Sequence, residues 1–170
     1  LYLSILGLQI AEWQPHDDWV FTTLFTGNNV LITGSRNLAV WRIEENLSSI
    51  KKWFPHTSFI WHLSLSPRGR YFATTSRDGT IKLWTTDGLE KIADFHGHNC
   101  GAISGTFHPY TPLFASGGAD NHICIWDIQN KKLLRRIEAH AAWIRGVRFS
   151  KSGKFLVSCS DDSLVKIWRT

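Results

Sequence analysis

The chain holds 170 residues, 43% hydrophobic and 19% charged, the composition of one globular domain and not of a disordered or fibrous chain. Its three cysteines (Cys100, Cys124, Cys159) are odd in number and stand at no metal or redox spacing, which excludes a disulfide framework and leads us to expect an intracellular protein, cytoplasmic or nuclear. The net charge of +5 sits mostly in small groups (Lys51-Lys52, Lys131-Lys132, Arg135-Arg136), which suits protected strand edges better than a continuous nucleic-acid face.

In chain order, the apolar opening Leu1–Ile10 is too short to cross a bilayer and lacks a basic leader, so no membrane attachment is expected. The chain starts at Leu, and a piece of something longer is expected. After His16 comes a strand-like run, "WVFTTLF", then a hairpin ending on Trp41. After His56 the same order returns: "FIWHLSL", then "FATTSRDGTIKLW" ending on Trp84. His98 leads "AISGTF" and "FASGGADNHICIW" to Trp126, and His140 leads "WIRGVRF" and "LVSCSDDSLVKIW" to Trp168. Each hairpin is a strand, a tight polar turn and a second alternating strand, and no segment keeps a helical period. Basic segments such as "KKLLRRIEAH" precede the next His and read as outer strands.

The Trp residues are spaced 43, 42 and 42 apart and the His residues 40, 42 and 42. Three units agree position by position. Thr74, Ser116 and Ser158 follow their His by 18 residues, Asp78, Asp120 and Asp162 by 22, and Trp84, Trp126 and Trp168 by 28. The first unit departs: Ser35 stands six before Trp41, where the others have Asp, and its hairpin is about two residues shorter. A Ser, a His and an Asp together suggest hydrolysis, but a catalytic set is needed once and this one recurs in register, so we expect no enzyme. We expect no metal site at His96, His98 and Cys100, because His98 already belongs to the Ser/Thr, His and Asp set that recurs in register. No glycine-rich loop opens a helix, so no nucleotide or other cofactor is expected.

A period near 42, with Gly97-His98 and Trp126-Asp127, resembles the WD-repeat family over the whole chain. Only the third unit has both dipeptides; Arg42, Thr85 and Arg169 follow the other Trp residues. The resemblance implies an all-β fold of WD-type β-propeller blades, each of four antiparallel strands, four blades in all, within a ring of usually seven and sometimes eight. By alignment, residues 1–13 hold an outer strand (Gly7–Trp13) of a preceding or closing blade and Leu1–Ser4 the end of another strand. Blade one is 14–53, blade two 54–95, blade three 96–137, and blade four 138–170 without its outer strand. Three arrangements remain open: part of a longer propeller, two copies closing an eight-bladed ring, and closure by four blades alone. An open ring would expose sheet faces and favour self-association.

The resemblance also assigns roles. His56, Thr74, Asp78 and Trp84 form a structural tetrad, as do His98, Ser116, Asp120 and Trp126, and His140, Ser158, Asp162 and Trp168. The positions three and five after each His, and the one before each Asp, face the top of the propeller, where peptides bind in the family. In this sequence they are Trp19, Phe21, Phe59, Trp61, Arg77, Gly101, Ile103, Ala119, Trp143, Arg145 and Asp161. Aromatic residues and Arg are enriched at interface hot spots. Phe21, Trp61 and Ile103 share one phase and could instead pack against the next blade. Apolar residues recur four and nine after each His, an odd separation that predicts a bulge in the innermost strand. The function expected is a non-enzymatic scaffold holding a protein or peptide partner on this aromatic face. Alternatives are an RNA- or ribonucleoprotein-associated propeller subunit, from charge and stacking rings, and a ubiquitin-ligase substrate receptor. The last is disfavoured because Gln129 stands where such receptors carry Arg.

Overall fold

Alternating runs closed by polar turns produce a chain of hairpins. The structure, a computed structural model, describes residues 11–27, 29–44 and 47–170. Among these there are fifteen strands and no helix. Blade one contains β1 (Thr22–Thr26), β2 (Val30–Gly34), β3 (Leu38–Ile43) and β4 (Leu47–Trp53). Blade two contains β5 (Ile60–Leu65), β6 (Tyr71–Ser76), β7 (Thr80–Thr85) and β8 (Lys91–His96). Blade three contains β9 (Ala102–Phe107), β10 (Leu113–Gly118), β11 (His122–Asp127) and β12 (Lys132–Glu138). Blade four contains β13 (Ile144–Phe149), β14 (Phe155–Ser160) and β15 (Val165–Arg169). Every blade is an antiparallel meander, four-stranded in the first three and three-stranded in the fourth. The strands read at Leu1–Ser4 and Gly7–Trp13 lie outside the described residues, except Ala11–Trp13, which is not in a strand.

The turn between the second and third strands of a blade needs a left-handed residue directly after the Asp. Gly79 (φ 83°) fills that place at no steric cost and Asn121 (φ 65°) is of a type that tolerates it, while Ser163 (φ 67°) fills it against its preference. The Asp fixes the turn by accepting the amide two residues on, Thr80 N–H at 2.9 Å and Leu164 N–H at 3.0 Å.

Because side chains alternate across a strand, each sheet turns one face to the preceding blade and one to the next. Phe72 and Trp84 pack with Ile32, Leu38 and Val40 of blade one, while Ala73, Ile81 and Leu83 pack with Ala102, Phe114 and Trp126 of blade three. Ala115 and Ile123 meet Ile144, Val147 and Leu156 of blade four. The core is thus three seams, not one centre. Close approach needs small residues: a Cβ on Gly117 would stand 2.5 Å from Ile144 Cγ2.

The innermost strands of blades two, three and four each contain a register shift. Ile60 pairs with Ser76 and His62 with Thr75, leaving Trp61 as the extra residue. Ile103 and Arg145 are left out in the same way. The shift lets apolar residues on either side of it, such as Ile60 and Leu65, face one seam. Blade one pairs continuously from Thr22 to Thr26, with Val20 and Phe21 before the strand.

Candidate functional site

Each blade holds a relay of buried polar groups. In blade three the Trp126 indole N–H donates to Ser116 Oγ (2.8 Å), the Ser116 hydroxyl donates to His98 Nε2 (2.7 Å), and His98 Nδ1–H donates to Asp120 (2.9 Å). Blade two repeats this through Trp84, Thr74, His56 and Asp78, and blade four through Trp168, Ser158, His140 and Asp162. Thr74, Ser116 and Ser158 are fully buried. Their hydroxyls already accept from an indole and donate to an imidazole, so a substrate meets no free nucleophile there. The relays join the second and third strands of a blade and the turn between them to the segment leading into the blade.

The carboxylates are strongly acidic. Burial pushes Asp78 and Asp120 up, but hydrogen bonds outweigh it and hold both well below the usual carboxylate range. The donors include His56 and Thr80 for Asp78, and His98, Asn99 and Arg136 for Asp120. Asp162 is brought down to about 2 by Ala141, Leu164 and His140, again against burial.

Blade one also has a relay. Trp41 donates to Thr33 (3.0 Å), Thr33 bonds His16 Nε2 (2.8 Å), and His16 Nδ1 meets Asn37 Oδ1. Asn37 follows Thr33 by four residues, as Asp78 follows Thr74. Counting back from Trp41 reached Ser35 because the shortened hairpin displaces everything before the Trp. Its Nδ1 partner is an amide and not a carboxylate, and His16 is held below its ordinary value, mainly by burial.

The second group lies where the innermost strands begin. The amide before or at the turn donates to the carbonyl three residues after the His: Arg77 N–H to Phe59 O (2.9 Å), Ala119 N–H to Gly101 O (2.8 Å), and Asp161 N–H to Trp143 O (3.0 Å). These bonds set the start of each innermost strand beside its turn. Trp19, Phe21, Phe59, Trp61, Arg77, Ile103, Trp143 and Arg145, with His62, line one hollow of about 570 Å³. Asp161 is outside the lining and grips Arg145 through two bonds of 2.8 and 2.7 Å.

The rings run continuously from Trp19 to Phe21 (6.0 Å between centroids) to Phe59 (5.3 Å). Arg36, paired with Asp18, lies over Phe59, and Arg145 lies over Trp143 at 5.0 Å. Trp19 is 73% exposed and Trp143 45%. Trp61 has two surroundings. It lines the hollow, and its ring rests on blade three at Gly101, where a Cβ would stand 2.5 Å from Cζ3.

Sequence reasoning missed His62 and Arg148. Arg148 donates to Ser104 Oγ (3.1 Å) and to His62 Nε2 (3.0 Å), linking blade four to blades three and two. Burial, with Arg148 beside it, holds His62 down at about 4. The only available signal was place: His62 and Ser104 each stand six after their blade's His, as does Thr22, whose hydroxyl accepts the Leu63 amide at 3.1 Å.

The family model for the WD domain, G-beta repeat, matches residues 47–85, 89–127 and 131–169. Each match runs from an outer strand through the first three strands of the following blade. Transcription initiation factor TFIID subunit 5 of Caenorhabditis elegans is 30% identical over 164 residues, covering 93% of this chain and 24% of the relative. Nuclear distribution protein nudF of Aspergillus niger is 25% identical over 198 residues, 95% of this chain and 44% of the relative. A probable coatomer subunit beta' of Schizosaccharomyces pombe is 29% identical over 118 residues, 68% of this chain and 15% of the relative. The chain therefore spans less than half the length of each of these relatives.

Proposed function

The chain belongs to the WD40-repeat family, and from that premise we propose that it is a non-enzymatic scaffold that holds a peptide segment of a partner protein in the aromatic hollow at the mouth of its innermost strands. One observation carries the reading: five aromatic side chains from three blades converge on a single hollow of about 570 Å³. Exposed ring surface of that kind is costly to a free chain and is what interface hot spots are made of. Two relatives are named as subunits, which supports a place in a multiprotein assembly. The free thiols of Cys100, Cys124 and Cys159 support an intracellular setting, in cytoplasm or nucleus.

RNA is the weaker alternative. The basic groups lie on outer strands of separate blades, and Arg136 is committed to Asp120. Site-specific photo-crosslinking in cells tests the choice. A crosslinker at Trp19 or Trp143 should give a protein adduct that one at the exposed outer-strand Leu134 does not. Trp143→Ala with Arg145→Ala should weaken partner capture about tenfold or more. The melting temperature should stay nearly unchanged, because an exposed ion pair contributes about 0–1 kcal/mol. Loss of stability with unchanged capture would instead make these core residues.

A further inference from the structure

The polar lining of the hollow is one-sided. Among the described residues its charged members are Arg77 and Arg145, and no Asp or Glu lines it. Arg145 is neutralised by Asp161, and Arg36 at the edge by Asp18. Among the described residues Arg77 has no ion pair or side-chain hydrogen bond, while its backbone amide is fixed to Phe59. Arg148 spends its donors on neutral acceptors (Ser104, Val147 and His62) and has no carboxylate partner among the described residues. Because His62 Nε2 accepts from Arg148, the ring proton sits on Nδ1, a buried atom outside a ligand's reach. Arg77 is exposed, and a guanidinium without a carboxylate partner gains from a ligand that supplies one.

We infer that the hollow selects an extended peptide segment in which an Asp or Glu stands beside an apolar or aromatic anchor, the anchor resting among Trp19, Phe21, Phe59, Trp61 and Trp143 and the carboxylate on Arg77. This inference rests on reading the hollow as a peptide site, and it adds the ligand's chemistry. A basic segment would meet Arg77 as a like charge, while a purely apolar one would bury against its uncompensated guanidinium. Arg145 and Arg36 orient rings without drawing the ligand, because each already has its carboxylate.

The test is a selection of random short displayed peptides on the intact chain, compared with its Arg77→Glu, Arg77→Ala and Trp143→Ala variants, each checked by thermal unfolding. The expected result is enrichment of Asp or Glu next to an apolar residue. Capture of the enriched peptides should fall about tenfold on Arg77→Ala. Arg77→Glu should invert the preference towards Lys and Arg. Enriched peptides without acidic bias that are still lost on Trp143→Ala would overturn this inference and leave the aromatic site standing. No enrichment over the bare support, or capture indifferent to Trp143→Ala, would overturn both.

Discussion

Each relay is a chain of donors and acceptors in which one hydroxyl bridges an indole N–H and an imidazole Nε2, while Nδ1 faces an oxygen acceptor. Ser116→Ala would strand the Trp126 N–H and His98 Nε2, both buried, at a cost of about 2–4 kcal/mol, read by urea denaturation. Ser116→Thr should recover most of this, because blade two uses Thr74. The acids give a pH dependence whose sign is fixed. Their folded values lie below the ordinary 3.8, so their stabilisation is complete above that value and is lost as pH falls through the folded value, about 2 for Asp162. Melting temperature should therefore drop steeply below about pH 4. His16 acts in a different window. Its folded value lies below 6.5, so blade one loses stability as pH falls under that value, and Asn37→Asp should raise the His16 titration followed by NMR. The relays of blades two to four were legible because all their members lie within one repeat, at the positions to which the WD-repeat resemblance assigns the tetrad. Asn37 was hidden because a shortened hairpin changes every count that crosses it.

At the scale of the strand, the bulge decides what the innermost strands can present. An extra residue at Trp61, Ile103 and Arg145 re-aims the chain between two seam contacts, so one strand can serve both core and surface. The sequence contained the bulge as an odd spacing of apolar residues. It did not contain the partner of Trp61, which is a glycine backbone some 40 residues away in the next blade. Gly101→Ala would force a methyl group against that ring and should cost about 1–3 kcal/mol. Differential scanning calorimetry should show the loss, together with a shift in tryptophan emission. An unchanged emission would mean that Trp61 does not need the close approach.

Among the described residues, the first and the fourth blade each leave apolar side chains exposed that their equivalents in the inner blades bury. Ile81 and Leu83 are each 1% exposed in the seam between blades two and three, whereas their equivalents in blade four, Val165 and Ile167, are 67% and 70% exposed. Val20 is 43% exposed, whereas Ile60, its equivalent, is fully buried. Each bare Ile or Val forgoes about 1.5–3 kcal/mol available from burial. Light scattering on the isolated chain should therefore report self-association, and Ile167→Lys should reduce it. A soluble monomer would rule out the two-copy ring. The amino-acid order by itself determined the strands, the turns, the four-blade count and three of the four relays, because each is settled within one period of about 42 residues. Only the tertiary structure decided the Asn37 substitute, the resting place of Trp61 and the His62–Arg148 link across 86 residues. The physical reason is range. Alternation and turn chemistry act on neighbours in the chain, while the hollow and its unpaired charges exist only where separate blades are turned to face one axis.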